Sequence, residues 1–102
     1  MNLTSKQRAY LKSLASNLKP VFQIGKGGLT PEVTNAVGEC FNNNELIKLA
    51  VLKNCEEDAV SIAGALAERT NSTLVQVIGK KIVLYKPDKD KPKIELPKRS
   101  FS

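Results

Sequence analysis

A short run of β-branched and aromatic residues at 21–24 passes straight into Gly25-Lys26-Gly27-Gly28, and Thr30-Pro31 follow at once. That order dictates a strand, a tight loop and a helix. Threonine is a preferred N-cap, and proline fits the first helical position, where no N–H is needed. Glycines allow positive φ and let another molecule approach the main chain. The loop lies just ahead of a helix N-terminus, where free N–H groups and the helix dipole favour an anion. Lys26 adds a mobile positive charge. The phosphate of a nucleic acid backbone suits this arrangement. A nucleoside-triphosphate loop does not fit, because it needs G-x-x-x-x-G-K-[ST]. Here Lys26 precedes the second and third glycines, and Leu29 follows them.

Hydrophobic spacing around this unit predicts the order α-β-α-β-α-β-β. Thr4 and Gln7 form a capping-box pair. The helix they open carries an apolar stripe of Leu11, Leu14, Ala15 and Leu18, with Tyr10 at its edge, and Pro20 ends it. Arg8, Lys12 and Lys19 fall on a second stripe of that helix. From residue 31 to about 42, Val33, Ala36, Val37, Cys40 and Phe41 recur at helical spacing. Residues 45–53 read as a central strand, apolar on both faces: Ile47, Leu49 and Val51 on one, Leu46, Lys48, Ala50 and Leu52 on the other. Asn54 and Glu57 frame a third helix, with Glu56, Glu57 and Asp58 in its first turn and Ala59, Ile62, Ala63, Leu66 and Ala67 as its buried stripe. Residues 73–78 and 82–85 are strands joined by Gly79-Lys80, as a type II′ turn requires. The first two strands should be parallel and the final hairpin antiparallel. The expected fold is an α/β two-layer sandwich with a four-stranded mixed sheet. One domain covers 1–86. The tail at 87–102, interrupted by Pro87, Pro92 and Pro97, reads as solvated, with Ile94 and Leu96 as an alternative short edge strand.

Charge is unevenly distributed. Residues 1–28 carry five bases and no acid; 29–79 carry three bases and seven acids; 80–102 carry eight bases and three acids. A net charge of +6 is ordinary for a small domain, but basic ends can form one basic face if they meet in space. No apolar run nears the ~18 residues of a membrane span, and no apolar segment of a secretory signal follows the N-terminus. Cys40 and Cys55 are isolated and histidine is absent, so zinc ligation and the usual neutral-pH general base lack residues. These features lead us to expect a cytoplasmic protein with no cofactor, no metal and no catalysis.

The run Leu18-Lys19-Pro20-Val21-Phe22-Gln23-Ile24-Gly25-Lys26-Gly27-Gly28-Leu29-Thr30 resembles the signature of the CRM domain (chloroplast RNA splicing and ribosome maturation). Glu45-Leu46-Ile47-Lys48, Leu74-Val75-Gln76-Val77-Ile78-Gly79 and Ile82-Val83-Leu84-Tyr85 resemble it too. With one copy filling the chain, it looks like the stand-alone bacterial YhbY-type form. That resemblance implies a fold similar to the C-terminal domain of translation initiation factor three. It also implies RNA binding through Gly25, Lys26, Gly27 and Gly28, and association with ribosomal RNA in precursors of the large subunit. A G-x-x-G loop of this kind clamps the nucleotide backbone in KH domains.

The expected RNA contacts are Gly25, Lys26, Gly27 and Gly28, with Arg8, Lys12 and Lys19 as a phosphate track. Lys80, Lys81 and Lys86 near the hairpin form a secondary set. Tyr10, Phe22, Phe41 and Tyr85 fall on core elements, so no aromatic platform for splayed bases is expected. Two other readings remain open. One is a protein–protein adaptor that docks on a ribosomal protein through the acidic segment 56–68. The other is an enzyme for a phosphorylated small molecule, against which the lack of histidine and of paired carboxylates speaks. A monomer is expected.

Overall fold

A computed structural model describes residues 2–98; the end of the expected tail, 99–102, lies outside the described residues. The elements are α1 (Ser5–Ala15), β1 (Phe22–Ile24), α2 (Pro31–Cys40), β2 (Leu46–Val51), α3 (Ala59–Arg69), β3 (Thr73–Ile78) and β4 (Lys81–Tyr85). The four strands form one sheet in the order β1-β2-β4-β3. β1 runs parallel to β2, and the other pairings are antiparallel. The mixed sheet and its element order are those expected.

Local chemistry explains most boundaries. The Thr4 hydroxyl accepts the Gln7 N–H while the Gln7 side chain accepts the Thr4 N–H, each at 3.0 Å. The Thr30 hydroxyl caps α2 by accepting the Val33 N–H at 3.1 Å. β1 and β2 are shorter than the expected 21–24 and 45–53, β4 begins one residue early at Lys81, and two helix boundaries differ more. α1 stops at Ala15; at the C-cap the Ser16 N–H is shared between the Lys12 and Ser13 carbonyls, and the Ser16 hydroxyl donates to the Ser13 carbonyl at 2.7 Å. Serine and asparagine compete in this way with helix propagation. Leu18 is left exposed, and Lys19 leaves the stripe shared by Arg8 and Lys12. α3 starts late: its N-cap is Asp58, which accepts the Ser61 N–H, so Glu56 and Glu57 precede the helix instead of filling its first turn.

Strand alternation sends side chains to opposite faces. Ile24, Ile47, Leu49, Ile82 and Leu84 pack with Val37 of α2 and Ile62, Ala63 and Leu66 of α3. On the other face, Leu46, Val75, Val83 and Tyr85 pack with Leu11 and Ala15 of α1. α1 therefore covers the side of the sheet that α2 and α3 do not. Full burial of one Leu or Ile is worth about 1.5–3 kcal/mol, so each face is held by several such side chains.

The tail departs from the solvated reading. Ile94 and Leu96 pack, half-buried, against the α1 side of the core. The buried Glu45 carboxylate accepts the N–H groups of Asp88, Lys93 and Ile94 at 2.6, 2.8 and 2.7 Å. The Gln7 amide donates to the Pro97 carbonyl at 3.0 Å. Apolar side chains every second residue and a buried carboxylate offset the ordering cost that the composition alone suggested would win. No strand pairing is involved: 94–96 join no ladder.

Candidate nucleic-acid interface

Gly25 to Gly28 form a turn closed by the Gly28 N–H donating to the Gly25 carbonyl at 3.0 Å. The glycines have different reasons to be there. A Cβ on Gly25 would make ordinary contacts, 3.7 Å from a Leu52 methyl and 3.8 Å from the Asn54 amide oxygen. A Cβ on Gly27 would meet nothing within 4 Å. Gly28 has φ +64°, and a Cβ there would lie 2.1 Å from the Glu57 carboxylate. Only Gly28 is demanded by the protein's own backbone and packing.

Glu57 also changes the anion argument. Its carboxylate accepts the Leu29 N–H at 2.8 Å, just ahead of α2. Pro31 has no N–H, and the Val33 N–H is taken by Thr30. Most of the donors expected to hold a phosphate at this helix start are thus filled by the chain itself. What stays open is the tip. Lys26 and Gly27 are exposed, and their N–H groups have no partner among the described residues.

Strand register brings more cations to this end of the sheet than the sequence reading singled out. The Ile24 carbonyl accepts the Leu52 N–H at 2.8 Å, and the Lys80 carbonyl accepts the Val51 N–H at 2.7 Å. The ends of β1 and β2 and the β3–β4 turn therefore adjoin. Exposed Lys53 and Lys80 share an edge with Lys26. Lys80 belonged to the secondary set; Lys53 was missed. Its signal was the parallel β1–β2 pairing, which sets the C-terminal ends of both strands side by side.

The first-helix set is placed differently. α1 packs on β2 and β3, whereas the loop leaves β1 at the far edge. Lys12 is exposed on α1 and Lys19 lies beyond it. Arg8 is half-buried, and its Nη1 donates to the Leu74 and Val75 carbonyls at 2.8 and 2.5 Å. Those carbonyls flank a β-bulge where the β3–β4 register slips between Leu74 and Gln76. Of the expected contacts, only 25–28 form one cluster. Lys86, from the secondary set, donates to the Thr70 carbonyl at 3.0 Å.

Of the two cysteines, Cys55 is buried and Cys40 half-buried. Burial, then Glu39, pushes the Cys40 thiol above its ordinary pKa, which disfavours the nucleophilic thiolate. Burial, then Glu45, raises Tyr85 in the same way. Tyr85 is buried and Phe22 and Phe41 are half-buried; Tyr10 is 38% exposed. No helix among the described residues is long and apolar enough to cross a membrane.

Comparison with known proteins agrees with this architecture. A probable RNA-binding protein of Bacillus subtilis, YqeI, is 48% identical over 95 residues, covering 93% of this chain and 99% of that protein. An RNA-binding protein of Haemophilus influenzae is 38% identical over 97 residues, covering 95% and 97%. The solution structure of the hypothetical protein SAV1595 of Staphylococcus aureus superposes with a TM-score of 0.79 at 48% identity, covering 94% of this chain and all of that one. The family model for the CRS1/YhbY (CRM) domain matches residues 3–86, from just before α1 to just past β4. The chain belongs to the CRS1/YhbY (CRM) domain family.

Proposed function

We propose that this protein binds RNA through the exposed Lys26-Gly27 tip of the loop and the lysines beside it, without catalysing a reaction. The observation that carries this reading is the tip itself. Among the described residues two main-chain N–H groups are unpartnered there and nothing crowds Gly27, while exposed Lys26, Lys53 and Lys80 lie at the same end of the sheet. Amide donors and ammonium groups at one edge can neutralise successive phosphates and release their counterions. The names of the relatives, as RNA-binding proteins, support the same partner. With few aromatics exposed among the described residues, the loop tip suits recognition of backbone and shape over stacking of splayed bases. The family likeness extends the reading to structured ribosomal RNA in precursors of the large subunit, in the cytoplasm, with the protein acting as a monomer.

The test is binding to large-subunit ribosomal RNA fragments across a salt series. With about five phosphates contacted, affinity should fall roughly 10²–10³-fold between 50 and 200 mM salt. Lys26→Ala should weaken binding alike across RNA sequences and lower the salt slope by about one. Gly27→Leu should weaken it more, by blocking approach to the tip. Wild-type affinity and slope in both variants would overturn the reading. Capture of a ribosomal protein that survives ribonuclease would favour an adaptor instead.

A further inference from the structure

We propose that the groove between α1 and the uncovered part of the sheet is a second RNA contact, holding one nucleotide with its phosphate on lysines and its base on an apolar floor. This rests on the reading that the protein binds RNA. The groove has a volume of about 250 Å³ and is lined by Lys12, Lys48, Gln76, Ile78, Lys81 and Val83. Lys48 is its most informative member. It stands in the middle of a central strand, opposite Val83, in a run that is otherwise apolar. It is half-buried, and no carboxylate pairs with it among the described residues. Its stem is covered by the sheet and α1 while its ammonium reaches the solvent of the groove, since no buried side-chain nitrogen among the described residues lacks a partner. Lys12 from α1 and Lys81 from β4 converge on the same groove, and no acid lines it among the described residues. Three cations from three elements repel one another until an anion joins them.

The rest of the lining suits a nucleobase. Val83 and Ala15 close the bottom, each 1% exposed, and Ile78, 60% exposed at the side, supplies most of the apolar surface a base can meet. Gln76 offers an amide donor and acceptor to a base edge. The volume falls below the ~300–1,000 Å³ of pockets that enclose a whole small ligand, so one unit of a polymer fits better than a free metabolite. Lys81 directly follows the turn residue Lys80, whose carbonyl ties the hairpin to β2. β1 and β4 are separated laterally by two strand spacings, about 10 Å, and the tip lies about five residues further along the strand direction than Lys48, a span that a few nucleotides can cover.

The experiment is an NMR titration of the whole chain with adenosine monophosphate and with a short oligoadenylate. Amide signals of Lys48 and Gln76 and the methyl signals of Ile78 should shift with both. Lys48→Met and Lys81→Met should each lower the salt slope of oligoadenylate binding by about one. Ile78→Ser should weaken binding with the slope unchanged. Lys81 and Ile78 are exposed, so those variants keep the test valid should Lys48→Met unfold the protein. If the groove variants bind like wild type while Lys26→Ala is impaired, the groove proposal is lost and the loop reading stands. If Lys26→Ala and Gly27→Leu also bind normally, both are lost. Stronger shifts of the same signals by polyglutamate would make this a site for acidic protein and overturn the proposal.

Discussion

Two glutamates organise two of the non-regular segments of this molecule, in opposite ways. Glu45 is buried and gathers three N–H groups from the segment after β4. Glu57 is exposed and takes one, from Leu29 beside the glycine loop. The first arrangement closes a chain segment onto the core. The second steadies the base of a loop and leaves its tip unbonded. Charge-assisted bonds to carboxylates are worth about 1.5–3 kcal/mol each, so their number and burial decide whether a segment is fixed or merely braced. The comparison separates a structural region from one free to meet a partner.

The largest expected effect tests the closed side. Glu45→Ala should cost about 3 kcal/mol in denaturant unfolding and strip hydrogen-exchange protection from Lys93 and Ile94. A cost no larger than that of Glu57→Ala would break the contrast. Next comes the loop itself. Gly28→Ala should cost about 1–3 kcal/mol, through positive-φ strain and displacement of Glu57. Gly27→Ala should cost under ~0.5 kcal/mol, so equal melting temperatures for the two would refute the assignment of their roles. Glu57→Gln keeps an acceptor for Leu29 and should change stability by less than about 1 kcal/mol. RNA affinity should rise, because one negative charge leaves the rim; a fall would mean that the charge itself shapes the loop.

The smallest effect concerns Asp88. Its side chain accepts the N–H groups of Lys91 and Asp90, which hold its carboxyl below the ordinary value of 3.8. A lowered folded pKa stabilises the turn above the ordinary aspartate range, and that support is lost as pH falls through the lowered value. The Asp90 and Lys91 amides followed by NMR should therefore keep their native positions through mild acid and move only at stronger acid. Asp88→Asn should remove that pH dependence.

Features set by near neighbours were readable from the chain. Thr4 with Gln7, Thr30 with Pro31, and the two-faced apolar run of β2 each specify their element within a few residues. Partners far apart in sequence were not. Glu57 looked like part of a helix start, because acids there are ordinary, yet it serves Leu29, 28 residues earlier. Glu45 and Ile94 lie 49 residues apart, and a lysine- and proline-rich tail gives no periodic sign of docking. Lys48 was visible as one polar residue on an apolar face, but its meaning depends on Lys12 and Lys81 arriving from other elements. Arg8 counted as surface charge until the bulge in β3 supplied acceptors for it.

That arginine has a consequence for how copies of the chain meet. β3 is an outer strand of the sheet, and an outer strand is an invitation to cross-molecule β-pairing. Here the ladder is interrupted by an extra residue, and two adjacent carbonyls are already engaged by a guanidinium from another element. A second molecule arriving at that border finds a broken template. The geometry disfavours sheet extension between copies of this chain along β3.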